Sequence, residues 1–267
     1  MWVVVGLCMV GCRSEEKTVD PPKTQTLDVS DSRQCVEFDE LSMASPLEQA
    51  LRCWVDFLAG PELEGRANGS PGGAIAATAI ERLFREVGLK PAGNEGYQQA
   101  IPVGSNVLGV IEGAHPDKRN EVIVLGVHYD HLGRLEGTLY PGADDNASAV
   151  AMVLEWLRRQ QKMQWKPERS ILIAAFDAEE PPDFRTVAMG SQVFVDKPTI
   201  DRERIHAMVC LDLMGGDLWE GYRSPLFVMG LETFAQSPLA DSAGLICAVP
   251  KQWKLPIQPL HLRAIEY

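Results

Sequence analysis

Four short segments carry side chains able to do chemistry together: His128-Tyr129-Asp130-His131, Gly142-Ala143-Asp144-Asp145-Asn146, Asp177-Ala178-Glu179-Glu180, and Asp212. Imidazole among several carboxylates is a donor set for a borderline divalent cation such as zinc, and the surplus of carboxylates suits two ions sharing a bridging carboxylate. Such a pair, about 3.5–4 Å apart, polarises a carbonyl and lowers the pKa of a bound water. In His128-x-Asp130 the two side chains point the same way on extended backbone, so Asp130 is placed to accept a hydrogen bond from His128 and fix its tautomer. Glu179 and Glu180 leave a strand in opposite directions, which lets one hold metal while the other takes a proton from water. Any one of these residues alone reads as a solvent-facing strand end. Their coincidence on one rim is what carries weight.

The intervening elements are those that build such a rim. Apolar runs of strand length recur as VLGVI, VIVLGV, ILIAAF, AMVCLDL and PLFVMG. Apolar residues at helical spacing predict helices over 46–58, 71–89 and 147–160. Continuous rather than alternating apolar strands are covered on both faces, which predicts a largely parallel α/β sheet. Ligands bind such sheets beyond the carboxyl ends of the strands. The His128, Asp177 and Asp212 segments each follow a strand run, and the Asp144 segment precedes a helix, so all four are expected at that end.

Composition bounds the partners. The 267 residues include 25 Lys and Arg against 37 Asp and Glu, a net charge of -12, so a phosphate backbone is repelled and no nucleic acid partner is expected. Most of the acidic excess reads as ordinary solvated surface. With 45% hydrophobic residues, the chain buries a real core, which excludes disorder and a small disulfide scaffold. Residues 2–10 form an apolar run far shorter than the roughly 20 residues that a membrane helix needs. Ending in Met9-Val10-Gly11-Cys12, the run resembles a bacterial lipoprotein signal, in which the cysteine is acylated. Residues 1–12 are read as that signal, 13–43 as a flexible tether, and 44–267 as one folded domain. The expected location is a bacterial periplasm or cell envelope through a lipid on Cys12, or secretion. Of the four cysteines outside the signal, Cys35 and Cys53 form the first pairing to test and Cys210 reads as a buried free thiol. The absence of a CxxC pair excludes a zinc ribbon.

In order along the chain, HYDHLG, PGADDNAS, DAEE and LDLMG resemble the co-catalytic zinc metallopeptidases of family twenty-eight, typified by bacterial leucyl aminopeptidase, aminopeptidase Y and glutamate carboxypeptidase II. The upstream stretch from FLAGPELEGRANGSPGG to GYQQ resembles the region before the catalytic core of bacterial members. The likeness covers roughly Leu47 to Gly230. It implies a three-layer α/β/α sandwich with a mostly parallel mixed central sheet and a site for two Zn2+. It further implies that Asp144 bridges the ions, that His128 and Asp212 complete one site, and that Glu180 ligates the other. Glu179 is then the general base and later the general acid, Asp130 orients His128, and Asp145 follows Asp144 across a peptide that is often cis in the family. The connection PPDFRTVAM reads equally as a pocket cover and as a surface loop.

The resemblance also expects a last histidine ligand in a C-terminal loop behind a Ser-Asp-His or Ser-Asp-Tyr segment. The closing residues Arg263-Ala264-Ile265-Glu266-Tyr267 match neither, so the domain is expected to lack its last strands and that ligand. His261 is nearest the terminus but out of context, His115 and His206 sit in the wrong places, and His131 is not a ligand in the family. The leading expectation is a zinc-dependent aminopeptidase acting on peptides or small aminoacyl substrates. The alternatives are a catalytically dead or truncated remnant and an acyltransferase of the glutaminyl-cyclase type.

Overall fold

The computed structural model describes residues 46–215 and two short strands, Phe227–Val228 and Gln258–Pro259. The expected signal, the tether, Cys35 and His261 lie outside the described residues. Cys53 is disulfide-bonded, and no described residue is its partner. No helix among the described residues is long and apolar enough to cross a membrane.

Three helices form where the apolar spacing places them. Helix α1 runs Pro46–Leu58 and buries Ala50, Trp54 and Leu58. Helix α2 runs Pro71–Glu86, with Pro71 in its first turn and the Ser70 side chain accepting the Gly73 N–H at 3.0 Å, a cap that fixes its start. Helix α3 runs Ala149–Lys162 and buries Val150, Val153, Leu154 and Leu157. A fourth, α4, covers Gly190–Asp196; its single turn or two carries too short an apolar pattern to be read from sequence. A 3-10 segment, Pro61–Arg66, links α1 to α2.

The strands are β1 (Lys90–Pro91), β2 (Gln98–Ala100), β3 (Ser105–Ile111), β4 (Val122–His128), β5 (Gly133–Leu135), β6 (Thr138–Tyr140), β7 (Ser170–Phe176), β8 (Ile205–Cys210), β9 (Phe227–Val228) and β10 (Gln258–Pro259). The main sheet has the order β1-β3-β7-β4-β8, with β2 also on β3, while β5 pairs with β6 and β9 with β10. Strands β7, β4 and β8 are parallel, as expected. Strands β1, β2 and β3 run antiparallel to their neighbours, so the sheet is mixed. A short connection between β2 and β3 permits only an antiparallel pair, and an apolar run does not disclose its own direction.

Side chains alternate across the pleat and both faces are apolar. Val107, Val127, Ile173 and Ala175 face a core shared with Trp54, Leu58, Ile80, Phe84, Val150 and Leu154 of the first three helices. Leu108, Val124, Leu172, Ala174 and Phe176 face a second core closed by Phe194 of α4. Helices therefore cover both faces, which is why these strands read as unbroken apolar runs.

The 3-10 segment packs tightly on α2 at Gly72, where an added Cβ would lie 1.8 Å from the Leu63 carbonyl oxygen. Helix propensity favours Ala over Gly by up to about 1 kcal/mol, but overpacking against backbone costs about 1–3 kcal/mol. Gly72→Ala is therefore expected to lower stability by about 2 kcal/mol in urea denaturation, whereas Met163→Ala, at a 72% exposed residue, leaves it within about 0.5 kcal/mol.

Candidate metal centre and active site

Parallel register brings three strand ends together. His128 lies opposite Phe176, and Gly126 opposite Cys210, so 128–131, 177–180 and 211–212 leave adjacent strands at the same end. The segment 143–148, leading into α3, lies beside them. Two groups of potential ligands result: His128, Asp145 and Asp212, and His131, Asp145 and Glu180. His128 Nε2 is 3.2 Å from Asp145 Oδ1 and 3.4 Å from Asp212 Oδ1. His131 Nδ1 is 2.8 Å from Glu180 Oε1 and 3.9 Å from Asp145 Oδ2. Asp145 thus offers one oxygen to each group. Both ring nitrogens of His128, Asp145 Oδ1 and Asp212 Oδ1 are buried without a hydrogen-bond partner. Of these, His128 Nε2, Asp145 Oδ1 and Asp212 Oδ1 converge; leaving them unpaired is costly, and a cation between them would satisfy them. The residues fit a metal.

The expectation for Asp144 is corrected by this placement. The shared carboxylate is Asp145, and the cis peptide is Asp145–Asn146, one residue later than expected. Asp144 Oδ1 instead accepts the Ser148 hydroxyl at 3.2 Å and the Gly215 N–H at 2.6 Å. Two adjacent carboxylates in one loop cannot be ranked by type; only the turn of the backbone separates them. His128, Asp212 and Glu180 do come together with Asp145. Asp130 lies beside His128, but its Oδ1 is 3.7 Å from Nδ1, too long for the expected hydrogen bond. Fully buried, it accepts the Glu179 N–H at 3.1 Å and the Glu180 N–H at 3.0 Å. It therefore sets the backbone that carries both glutamates. Glu179 Oε2 is 3.9 Å from His128 Nε2, beside the first group, while the Glu180 side chain turns into the second. His131, not expected as a ligand, lies in that second group; His115 and His206 belong to neither.

Several supporting residues carried no sequence signal beyond polarity. Arg66, fully buried, donates to the backbone carbonyls of Tyr129 at 2.8 Å, Pro141 at 2.8 Å and Gly142 at 3.0 Å, and to that of Leu58. Asn146 donates to the Leu211 carbonyl at 3.0 Å, and the Met214 N–H reaches Ser148 Oγ at 3.1 Å, which ties the Asp212 loop to the Asp145 segment. Tyr129 points away from its neighbours and donates to Asp177 Oδ2 at 2.9 Å. Asn106 accepts the Asp177 N–H at 3.1 Å and donates to the Gly190 carbonyl at 2.9 Å; the Gly190 N–H returns to the Asp177 carbonyl at 3.0 Å. The 181–189 connection starts and ends at these anchors, with Asp183 held by Asn68 at 2.9 Å and Val187 81% exposed. The Cys210 thiol is free, and burial pushes it up to about 12.

Charge is crowded here. Burial above all raises Glu179 to about 8; His128 opposes this, and Asp130, Glu180 and Asp212 reinforce it. Burial and then Asp130 raise Asp177 to about 7. Burial disfavours a charged His128, yet its contacts with Asp130, Asp145 and Asp212 outweigh that and hold it well above the usual histidine value. Burial lowers Arg66 to about 10 against the pull of Asp130, Asp145 and Glu180, so it stays cationic at neutral pH.

Two outcomes follow for the metal-free protein. Glu179 and Asp177 keep protons that the unfolded chain releases near the ordinary carboxylate values, so their contribution is present at pH 4 and lost as pH rises toward 7–8. The melting temperature in EDTA should fall between pH 5 and pH 8, and added Zn2+, which requires deprotonated ligands, should raise it most at pH 8. Arg66→Lys keeps the charge but not the fork that reaches four carbonyls. It should cost at least about 3 kcal/mol in urea denaturation and weaken zinc binding measured on the folded fraction.

Residues 106–229 match Peptidase family M28. The uncharacterized protein YfbL of Escherichia coli (strain K12) is 33% identical over 143 residues, covering 52% of this chain and 41% of that protein. Aminopeptidase NAALADL1 of Rattus norvegicus is 28% identical over 166 residues, covering 60% of this chain and 18% of the relative. The chain thus spans less than half the length of either curated relative. A Zn-dependent exopeptidase from Parabacteroides distasonis ATCC 8503 has the same fold, with a TM-score of 0.54 at 21% identity, covering 74% of this chain and 71% of that one. The matched segment contains His128, Asp145, Glu179, Glu180 and Asp212, the residues that converge at the strand ends, and over that segment the chain is similar to Peptidase family M28.

Proposed function

We propose that this protein is a zinc-dependent aminopeptidase that hydrolyses the first peptide bond of its substrate. The observation that carries the proposal is Asp145 shared between two imidazole-containing ligand groups, with Glu179 alongside and not consumed by either. His128, Asp145 and Asp212 would hold zinc, with Glu180 on the far side of Asp145. When bound, zinc acts as a Lewis acid toward a carbonyl oxygen and acidifies water. Glu179 takes the proton from water at its side-chain carboxylate and delivers it to the leaving amine. Asp130 holds the Glu179 and Glu180 amides, so base and ligand stay in fixed relation. The choice of amino over carboxyl terminus rests on charge. Asp130, Asp144, Asp145, Glu180 and Asp212 gather at the strand ends, and among the described residues the cationic Arg66 is buried near them. A substrate α-ammonium is drawn to such a surface and an α-carboxylate repelled. Export and anchoring through Cys12 accompany this reading on the sequence alone.

The test is a panel of aminoacyl chromogenic substrates and their N-acetylated counterparts with the wild type and Glu179→Gln. Zinc-dependent release abolished by N-acetylation, with kcat reduced at least about 100-fold in Glu179→Gln, is expected. Full activity in Glu179→Gln, or turnover confined to cyclisation of N-terminal glutaminyl peptides, overturns it.

A further inference from the structure

Helix α3 starts beside the strand ends that carry the candidate ligands, and the turn after it leads to Ser170, the start of β7 and so the far end of the sheet. Hydrogen bonds define that turn. The Gln164 N–H bonds the Gln161 carbonyl at 3.1 Å, the Trp165 N–H bonds the Gln160 carbonyl at 3.1 Å, and Gln164 lies at φ +52. This is a Schellman cap with glutamine in the left-handed position that glycine usually takes. Beyond it the Pro167 carbonyl accepts the Ala114 N–H at 2.7 Å. The capped turn sets Trp165 edge-on against Trp156, with ring centroids 5.9 Å apart, and leaves Met163 72% and Trp165 41% exposed.

Charge around these two side chains runs against the rest of the molecule. The chain has a net charge of -12, yet between Glu155 and Glu168 lie Arg158, Arg159, Lys162 and Lys166 and no acidic residue. Glu155 pairs with both arginines, and Glu168 with Lys118. Lys162 and Lys166 are exposed and make no ion pair among the described residues. Tryptophan and methionine beside unpaired lysines suit a lipid interface, where apolar groups enter the headgroup region and ammonium groups meet phosphates.

The entry of the chain lies away from the rim as well. The Arg66 guanidinium holds the Leu58 carbonyl at the end of α1 and the Gly142 carbonyl shortly before α3, so α1 ends near where α3 begins. The two helices share one core on the same face of the sheet. Pro46, the first residue of α1, lies about 18 Å along the helix from that point, and the residues before it are those read from sequence as a tether behind Cys12.

We propose that the turn at the end of α3, with Met163 and Trp165 between Lys162 and Lys166, docks on an anionic lipid surface and holds the metal-binding strand ends facing away from it. The carboxylates at the opposite end of the sheet are repelled by the same surface, which sets the orientation.

Vesicle sedimentation of the full chain carrying Cys12→Ser, which cannot be acylated, tests the turn itself. Binding to vesicles containing phosphatidylglycerol, weakened by salt and much weaker on phosphatidylcholine alone, is expected. Lys162→Gln with Lys166→Gln, and separately Met163→Ser with Trp165→Ser, should each lower partitioning onto the anionic vesicles by more than about 10-fold with an unchanged circular dichroism spectrum. Val187→Ser, at an exposed apolar residue in the connection after Glu180, should leave it unchanged. No binding, equal binding to both vesicle types, undiminished binding in either double variant, or an equal loss in Val187→Ser overturns the proposal. Double variants that dissociate a dimer in sedimentation velocity while vesicle binding is unaltered assign the patch to a second copy of the chain and overturn it too.

Discussion

The buried guanidinium of Arg66 is the interaction on which the site depends. Its donors reach carbonyls from the end of α1, the strand end after β4 and the loop before the Asp145 segment. The Leu58 carbonyl ends a helix and those of Tyr129, Pro141 and Gly142 lie in loops, and a backbone oxygen buried without a donor costs about 1–3 kcal/mol. One side chain donates to all four and thereby ties the His128 loop to the Asp145 loop. It does so from below, as a permanent cation under Asp130, Asp145 and Glu180, and part of the repulsion among those carboxylates is offset before any metal arrives.

Around that clamp the carboxylates divide by task according to what surrounds them. Asp130 is spent on two backbone amides, Asp144 on Ser148 and Gly215, and Asp177 on Tyr129 and the amides of Ser105 and Ala178. Asp145 and Asp212 keep oxygens with no partner, and Glu179 keeps partial access to solvent. A polar group already satisfied by the protein has little to offer a cation. The unsatisfied ones are where binding energy comes from.

Much of this was legible in the sequence. The helical spacing of Leu51, Trp54 and Leu58, and of Val150, Val153 and Leu157, located α1 and α3, and the apolar runs located β3, β4, β7 and β8. Their ends named His128, Glu179, Glu180 and Asp212, because strand ends are where side chains escape the core. What escaped notice depends on backbone path. Asp144 and Asp145 are chemically equal until the chain between Gly142 and Ser148 is drawn. Arg66 looks like any charged loop residue, since its partners are carbonyls and leave no trace in composition. The direction of β3 and the turn of His131 toward Glu180 are likewise set by contacts distant along the chain.

The connection between Glu180 and Gly190 leaves the sheet and returns to the place it left. Asp130 grips its first residue, and Asn106 and Asp177 grip its last. Both ends of the excursion are therefore held at the sheet, and residues 181–189 touch Glu180 through backbone, where its carbonyl accepts the Asp183 N–H at 3.0 Å and the Phe184 N–H at 3.2 Å. Such a loop is a replaceable module. Evolution or an engineer can lengthen it, shorten it or exchange its side chains to reshape what approaches the rim, while the strand-end side chains beneath keep their places.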